Sequence, residues 1–94
     1  MAFYFLCKDK PGASDIRMAN REAHLAYLAE HEDKIIAGGP LQTEDASGMI
    51  GSLLIIDFAT KDEAEAFAAN DPYAKAGLFA SVEIGLWKQV YPKG

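Results

Sequence analysis

Residues 70–79 read NDPYAKAGLF, and the way this stretch divides decides the fold. Ahead of it, TKDEAEAFAA (60–69) is a run of helix formers behind a capping box, with Thr60 as the cap and Glu63 reaching back. Beyond it, LFASVEIGLWKQV (78–90) is rich in β-branched and aromatic residues and reads as a long strand. Asp71-Pro72 is a standard helix start, with Asp as the cap and Pro in the first helical position. A short turn, PYAKA, then runs to Gly77 before the strand begins. Asp71 stays open between two readings: a structural cap, or a carboxylate that works with a group distant in sequence. Capping excludes nothing, since a capping carboxylate has a second oxygen to offer.

Working outward, AFYFLCK (2–8) reads as a first strand and DKPGAS (9–14) as a loop punctuated by Pro11-Gly12. Ser14 or Asp15 can cap a helix that runs to about His31, with few β-branched residues inside it. KIIAGGPLQ (34–42) is a second strand running into a glycine pair and a proline. TEDASG (43–48) is a hairpin-like turn, and MIGSLLIIDF (49–58) is a third strand. The order β-α-β-β-α-β is that of a ferredoxin-like α+β sandwich, two helices on one face of an antiparallel sheet. Residues 1–94 are read as one domain.

Alternation along the strands has a consequence for assembly. Phe3 and Phe5 oppose Tyr4 and Leu6; Leu53 and Ile55 oppose Ile50, Leu54, Ile56 and Phe58; Val82, Ile84 and Leu86 oppose Phe79 and Trp87. Both sheet faces are therefore apolar, whereas helices cover only one. The simplest cover for the other is a second copy, giving a homodimer through the sheet face, or a larger assembly built on it. Phe79 and Trp87 are assigned to the core or that interface, with the lining of a pocket as the alternative.

Composition excludes several classes of function. A formal net charge of −5 argues against a nucleic-acid binder and against attachment to an anionic membrane surface. No stretch of about 18 apolar residues is present, so no membrane span is expected. MAFYFLCKDK (1–10) has no basic region ahead of its apolar run, and the expectation is a cytoplasmic protein. The single cysteine, Cys7, allows no disulfide within the chain and no cysteine-based zinc site, and it reads as a small buried hydrophobe in a strand.

The chemistry-bearing residues gather on the first helix. Arg17, Arg21, His24 and Leu28 fall at i, i+4, i+7 and i+11, and His31 continues the stripe. Such a stripe is either a solvated, ion-paired face or a cationic wall for a small anionic or oxygen-rich ligand. Two histidines at i, i+7 do not have metalloprotease spacing, and no metal is expected. His24 is the candidate for acid–base work because imidazole changes charge near neutral pH. It needs an orienting carboxylate, and Asp71 could serve only if the fold brings the two together. Gly38 and Gly39 in AGGPL either make a bulge or strand exit, or let a ligand approach exposed backbone N–H groups. Ser52 could place a hydroxyl on an otherwise apolar face. No nucleotide-binding fingerprint surrounds any of these residues, and no cofactor is expected.

Four segments together resemble the YciI-like (YCII-related) family: REAHLAYL (21–28), IIAGGPL (35–41), GSLLI (51–55) and NDPYAKAGLFASVEIGLW (70–87). The resemblance spans essentially the whole chain, in order. It implies a ferredoxin-like subunit of the dimeric α/β-barrel type, dimerising through its sheet. It also implies a pocket in which His24 and Asp71 form a dyad, His24 as general base or acid and Asp71 orienting it. Ser52, Gly38, Gly39 and Arg21 or Arg17 would line the same pocket. The family often has Pro before the strand-four aromatic residue, where this chain has Leu86 before Trp87, and it implies no role for His31. Relatives associated with dehalogenation or elimination on hydroxylated aromatics point to lyase-like chemistry without metal or nucleotide. A non-catalytic module holding a metabolite in the same pocket is the alternative, and an oxygen-using or haem-degrading member of the same architecture is the third reading.

Overall fold

Four strands and three helices follow one another as β1 (Ala2–Asp9), α1 (Ser14–Ala29), β2 (Ile35–Gln42), β3 (Met49–Asp57), α2 (Lys61–Asn70), α3 (Pro72–Lys75) and β4 (Phe79–Trp87) in the computed structural model, which describes residues 1–93. The strands form one antiparallel sheet in the order β2-β3-β1-β4, so the first strand lies at the centre and the second at an edge. This is the ferredoxin-like βαββαβ architecture with one added helical turn, α3. No helix is long and apolar enough to cross a membrane among the described residues.

Alternation in β1 sets the core. Phe3, Phe5 and Cys7 are buried on the helix side, where they meet Leu54, Ile56, Phe58, Ala64 and Phe67. Phe5 packs its ring against the edge of Phe67 at 5.5 Å, which ties the central strand to α2. A smaller cluster of Ala13, Tyr73 and Leu78 closes the end of the molecule where α3 sits. β1 pairs Phe3 with Leu86, Phe5 with Ile84 and Cys7 with Val82, so these three β4 residues share the helix side. The opposite face carries Tyr4, Leu6, Leu53, Ile55 and Trp87, and Leu53 there is 41% exposed. On that face Gly85 is required. The Tyr4 ring lies where a Cβ at position 85 would be, and the Tyr4 hydroxyl donates to Glu83.

The sequence reading is corrected at four points. Neither Ser14 nor Asp15 caps α1: the N-cap position is Ala13, without a side-chain cap, and Asp15 instead places its charge in the first turn. α1 stops at Ala29. The His31 N–H turns back to the Leu28 carbonyl at 2.9 Å and the chain tightens into a 3-10 turn at Glu32–Lys34. β2, by contrast, runs through Gly38-Gly39-Pro40 to Gln42 as expected over 34–42, which an edge strand allows because the missing proline N–H is not needed by a neighbour. β4 ends at Trp87 rather than at residue 90. Phe79 also departs from simple alternation. A register shift between Lys8 and Asp9 re-aims it, and it packs edge-on against Tyr73 at 6.0 Å instead of joining Trp87 on the open face. At α2, Thr60 Oγ1 accepts from the Glu63 N–H at 3.2 Å, and Glu63 reaches back one residue beyond the usual box, to the Ala59 N–H.

Candidate functional site

Asp71 is the joint between α2 and α3. Its backbone is extended, as the following proline favours, which turns the chain and starts α3 with Pro72 in the first position. Asp71 Oδ1 accepts the Tyr73 N–H at 2.9 Å, so the cap reading holds. The same oxygen also lies 2.9 Å from His24 Nδ1, across a sequence separation of 47 residues. One oxygen therefore does both jobs, where the sequence suggested that the second would be needed. Both side chains are buried, with His24 only 6% exposed. Facing an ionised carboxylate, which only accepts, Nδ1 is the donor, and in the neutral imidazole Nε2 then presents a lone pair. No buried polar side-chain atom is left unpaired among the described residues, so Nε2, which has no protein partner, reaches solvent.

The solvent it reaches is a cavity of about 200 Å³ between α1 and the β2–β3 edge of the sheet. His24, Arg21, Arg17, Gly38, Gly39 and Ser52 line it, together with apolar groups of which Leu25, Leu28 and Leu54 are examples. Asp71 does not face the cavity; it stands behind His24. A Cβ at position 38 would come within 2.8 Å of Leu54 Cδ2, so a residue with a side chain here would push Leu54 aside. At Gly39 the space is open.

The two arginines differ. Arg17 is buried and forked onto Asp9, Nε to Oδ2 at 2.7 Å and Nη2 to Oδ1 at 3.0 Å, while Nη2 also donates to Ser52 Oγ at 3.0 Å. Burial opposes its charge, but the bonds and charge of Asp9 outweigh that and hold the guanidinium above its ordinary pKa. Its charge is thus neutralised inside the protein, and Ser52 is an acceptor in this network. Arg21 is exposed at the cavity and makes no ion pair among the described residues. Of the cationic stripe, one arginine is structural and one faces the cavity. His31 belongs to neither, and its surroundings are the aromatic core beside α2.

Two residues at the site escaped the sequence reading. Tyr73 stacks on the His24 ring with centroids 4.0 Å apart and planes 15° from parallel, and the Arg17 guanidinium lies 4.7 Å from the same ring. Burial raises the phenol pKa, with Arg17 and Arg21 pulling against it. The signal was the cap itself: the residue whose N–H an Asp-Pro turn captures is Tyr73, so the turn that aims Asp71 also aims Tyr73. Asp9 was hidden in a loop, and its signal was an arginine in the part of α1 that faces the sheet, which needs a buried partner. Cys7 lies behind the site, and burial, with Asp71 and Asp9 adding, pushes its thiol up to about 12. It remains protonated, and no group of three His, Cys, Asp or Glu residues is arranged to hold a metal among the described residues.

Known proteins share this arrangement of chain and fold. A sequence model of the YCII-related domain matches residues 1–88. Protein YciI of Escherichia coli O6:H1 is 32% identical over 98 residues, covering 97% of this chain and all of the relative. Among solved structures, 5-chloro-2-hydroxyhydroquinone dehydrochlorinase (TftG) from Burkholderia phenoliruptrix, in complex with 2,5-dihydroxybenzoquinone, superposes with a TM-score of 0.88 at 42% identity, covering 94% of each chain. A NIPSNAP family protein from Agrobacterium tumefaciens has a TM-score of 0.55 at 19% identity, covering 99% of this chain and 97% of that one, and shares the fold alone.

Proposed function

The chain belongs to the YCII-related domain family, and on that premise we propose that it is a cytoplasmic enzyme that uses His24 as general acid and base, oriented by Asp71, to eliminate from a small hydroxylated ring compound. The observation that carries this reading is the 2.9 Å contact between His24 Nδ1 and Asp71 Oδ1, buried behind a cavity that the free Nε2 reaches. The likeness to a dehydrochlorinase over nearly the whole chain supports the reaction class.

The chemistry asks for a group that both takes and gives a proton. Nε2 takes the proton of a ring hydroxyl while Asp71 offsets the positive charge that appears on the imidazole. Returned to the neighbouring halogen-bearing carbon, that proton makes a ketone beside a tetrahedral carbon. Loss of the halide with its bonding pair, and of one further hydroxyl proton, then leaves a quinone. The net change is loss of HX, so no external oxidant enters. The test is chloride release from a chlorinated hydroxyhydroquinone by the purified protein and by His24→Gln. Release by the wild type that the variant loses supports the reading. Ligand binding without release, equal in both proteins, favours a metabolite-holding module instead.

We also propose that the open sheet face is covered by a second copy. Leu6, Leu53 and Trp87 make an apolar surface that a monomer would leave at least partly in water. Sedimentation at micromolar concentration should give a dimer for the wild type and a monomer for Leu53→Asp. A monomeric wild type would sink the idea.

A further inference from the structure

We propose that Tyr73 and Arg21 form an oxygen-recognising corner of the His24 cavity, in which the Tyr73 hydroxyl donates to a ring oxygen of the ligand and the Arg21 guanidinium faces the charge on it. This deepens the acid–base reading above by naming what holds the ligand's oxygen, and it rests on that reading for the ligand class.

Tyr73 carries a buried phenol whose proton has no acceptor among the described residues. Tyr73 is among the largest fully buried side chains, at 2% exposed, and its ring is held by His24 on one contact and Arg17 on another. A phenylalanine would fill those ring contacts equally well, and although the Arg17 guanidinium pulls on the hydroxyl oxygen, no acceptor among the described residues takes the phenol proton. That hydroxyl makes no hydrogen bond of normal geometry among the described residues, yet no buried polar side-chain atom there is unpaired. The oxygen therefore touches solvent, and the solvent space that Tyr73 lines is the cavity.

Arg21 supplies the second half. It lines the same cavity, and it lies close enough to Tyr73 to pull toward the phenolate. Arg17, the other cation near the phenol, is already bonded to Asp9 and Ser52. Arg21 is the cation left to meet a ligand charge. When Nε2 removes a proton from a ring hydroxyl, negative charge spreads onto the ring oxygens. A phenol donor and a guanidinium stabilise that charge more than they stabilise the neutral ring. The size is consistent. A cavity of about 150 Å³ holds benzene, so about 200 Å³ holds one ring with a few oxygen substituents.

The experiment is a titration of 2,5-dihydroxybenzoquinone into the purified wild type, Tyr73→Phe and Arg21→Gln, with benzene as an oxygen-free probe of the same space. Tyr73→Phe should weaken the oxygenated probe by about ten- to a hundredfold, the range for a hydrogen bond to a charged group, and leave benzene unchanged. Arg21→Gln should weaken it less and remove most of its salt dependence. Equal affinity of wild type and Tyr73→Phe for the oxygenated probe overturns the proposal. So does loss of both probes, which would make Tyr73 a wall, and so does a wild type that does not bind the oxygenated probe. Failure of the acid–base reading looks different: the wild type releases no halide, while the binding contrast between the probes stands.

Discussion

His24 and His31 come from the same stretch of chain and end in superficially similar corners. Each holds an oxygen with Nδ1, the Asp71 carboxylate at 2.9 Å for His24 and the Tyr27 carbonyl at 3.0 Å for His31. Each ring lies against an aromatic side chain, Tyr73 stacked at 4.0 Å for His24 and Phe67 edge-on at 4.9 Å for His31. The difference lies in the acceptor and in what the rest of the ring meets. His31 bonds a neutral carbonyl one turn back, which any helix end can supply, and lies among Tyr27, Phe58 and Phe67. His24 bonds a charged group brought from the far side of the chain and turns its other nitrogen toward a cavity. A histidine becomes chemically interesting when its partner is distant and ionised and its second nitrogen is left free.

Turnover should separate the two corners most widely. His24→Gln is expected to lose about 10²–10⁴ in halide release, the usual reach of general acid–base catalysis, whereas His31→Gln should keep the wild-type rate. Equal losses in the two variants would mean that both act through stability, and thermal melts would show it. Next comes Asp71→Asn, which keeps an acceptor for the Tyr73 N–H but removes the charge facing His24. Turnover should fall about a hundredfold if proton transfer depends on that charge, while stability drops by only about 1 kcal/mol, the size of one hydrogen bond weakened rather than lost. A stability loss with full activity would reduce Asp71 to a cap and make the two histidines equivalent.

The smallest effect concerns the strand behind His24. Cys7 should resist thiol reagents in the folded protein up to high pH, because its pKa stands at about 12 and the side chain is buried. The unfolded thiol ionises from about 9 while the folded one still holds its proton. Above that pH the unfolded state binds fewer protons, so stability should decline as pH rises from about 9 toward 12. Cys7→Ala removes this component of the decline; the raised phenols Tyr4, Tyr27 and Tyr73 act in the same direction. Rapid alkylation of native Cys7 at neutral pH would show the His24 wall to be more open than the packing around His31.

Much of the fold was legible because local chemistry and long-range packing agree. The Thr60 cap, the Asp71-Pro72 start and the alternation of Phe3, Phe5 and Cys7 each say locally what the sheet and helices require globally. Legibility failed where a contact distant in sequence overrides a local signal. Phe79 follows a register shift rather than its parity, and His31 leaves the helical stripe because the chain tightens after Ala29. Arg17 and Arg21 are one turn apart on the same stripe, and only the position of Asp9 makes the first structural and leaves the second at the cavity.

By itself the sequence determined the order of elements, which strand residues share a face (Phe79 apart), the helix starts at Thr60 and Asp71, and two residues, His24 and Asp71, worth bringing together. Those features depend on periodicity and on side chains reaching their own backbone, interactions that span a few residues. Tertiary structure alone decided that the Asp71 oxygen capping Tyr73 would also hold His24, that Tyr73 would stack on the imidazole, and that Asp9 would take up Arg17. These contacts join α1 to α3 and to the end of β1. Their distances follow from how the helices pack on the sheet, a property that no spacing along the chain encodes.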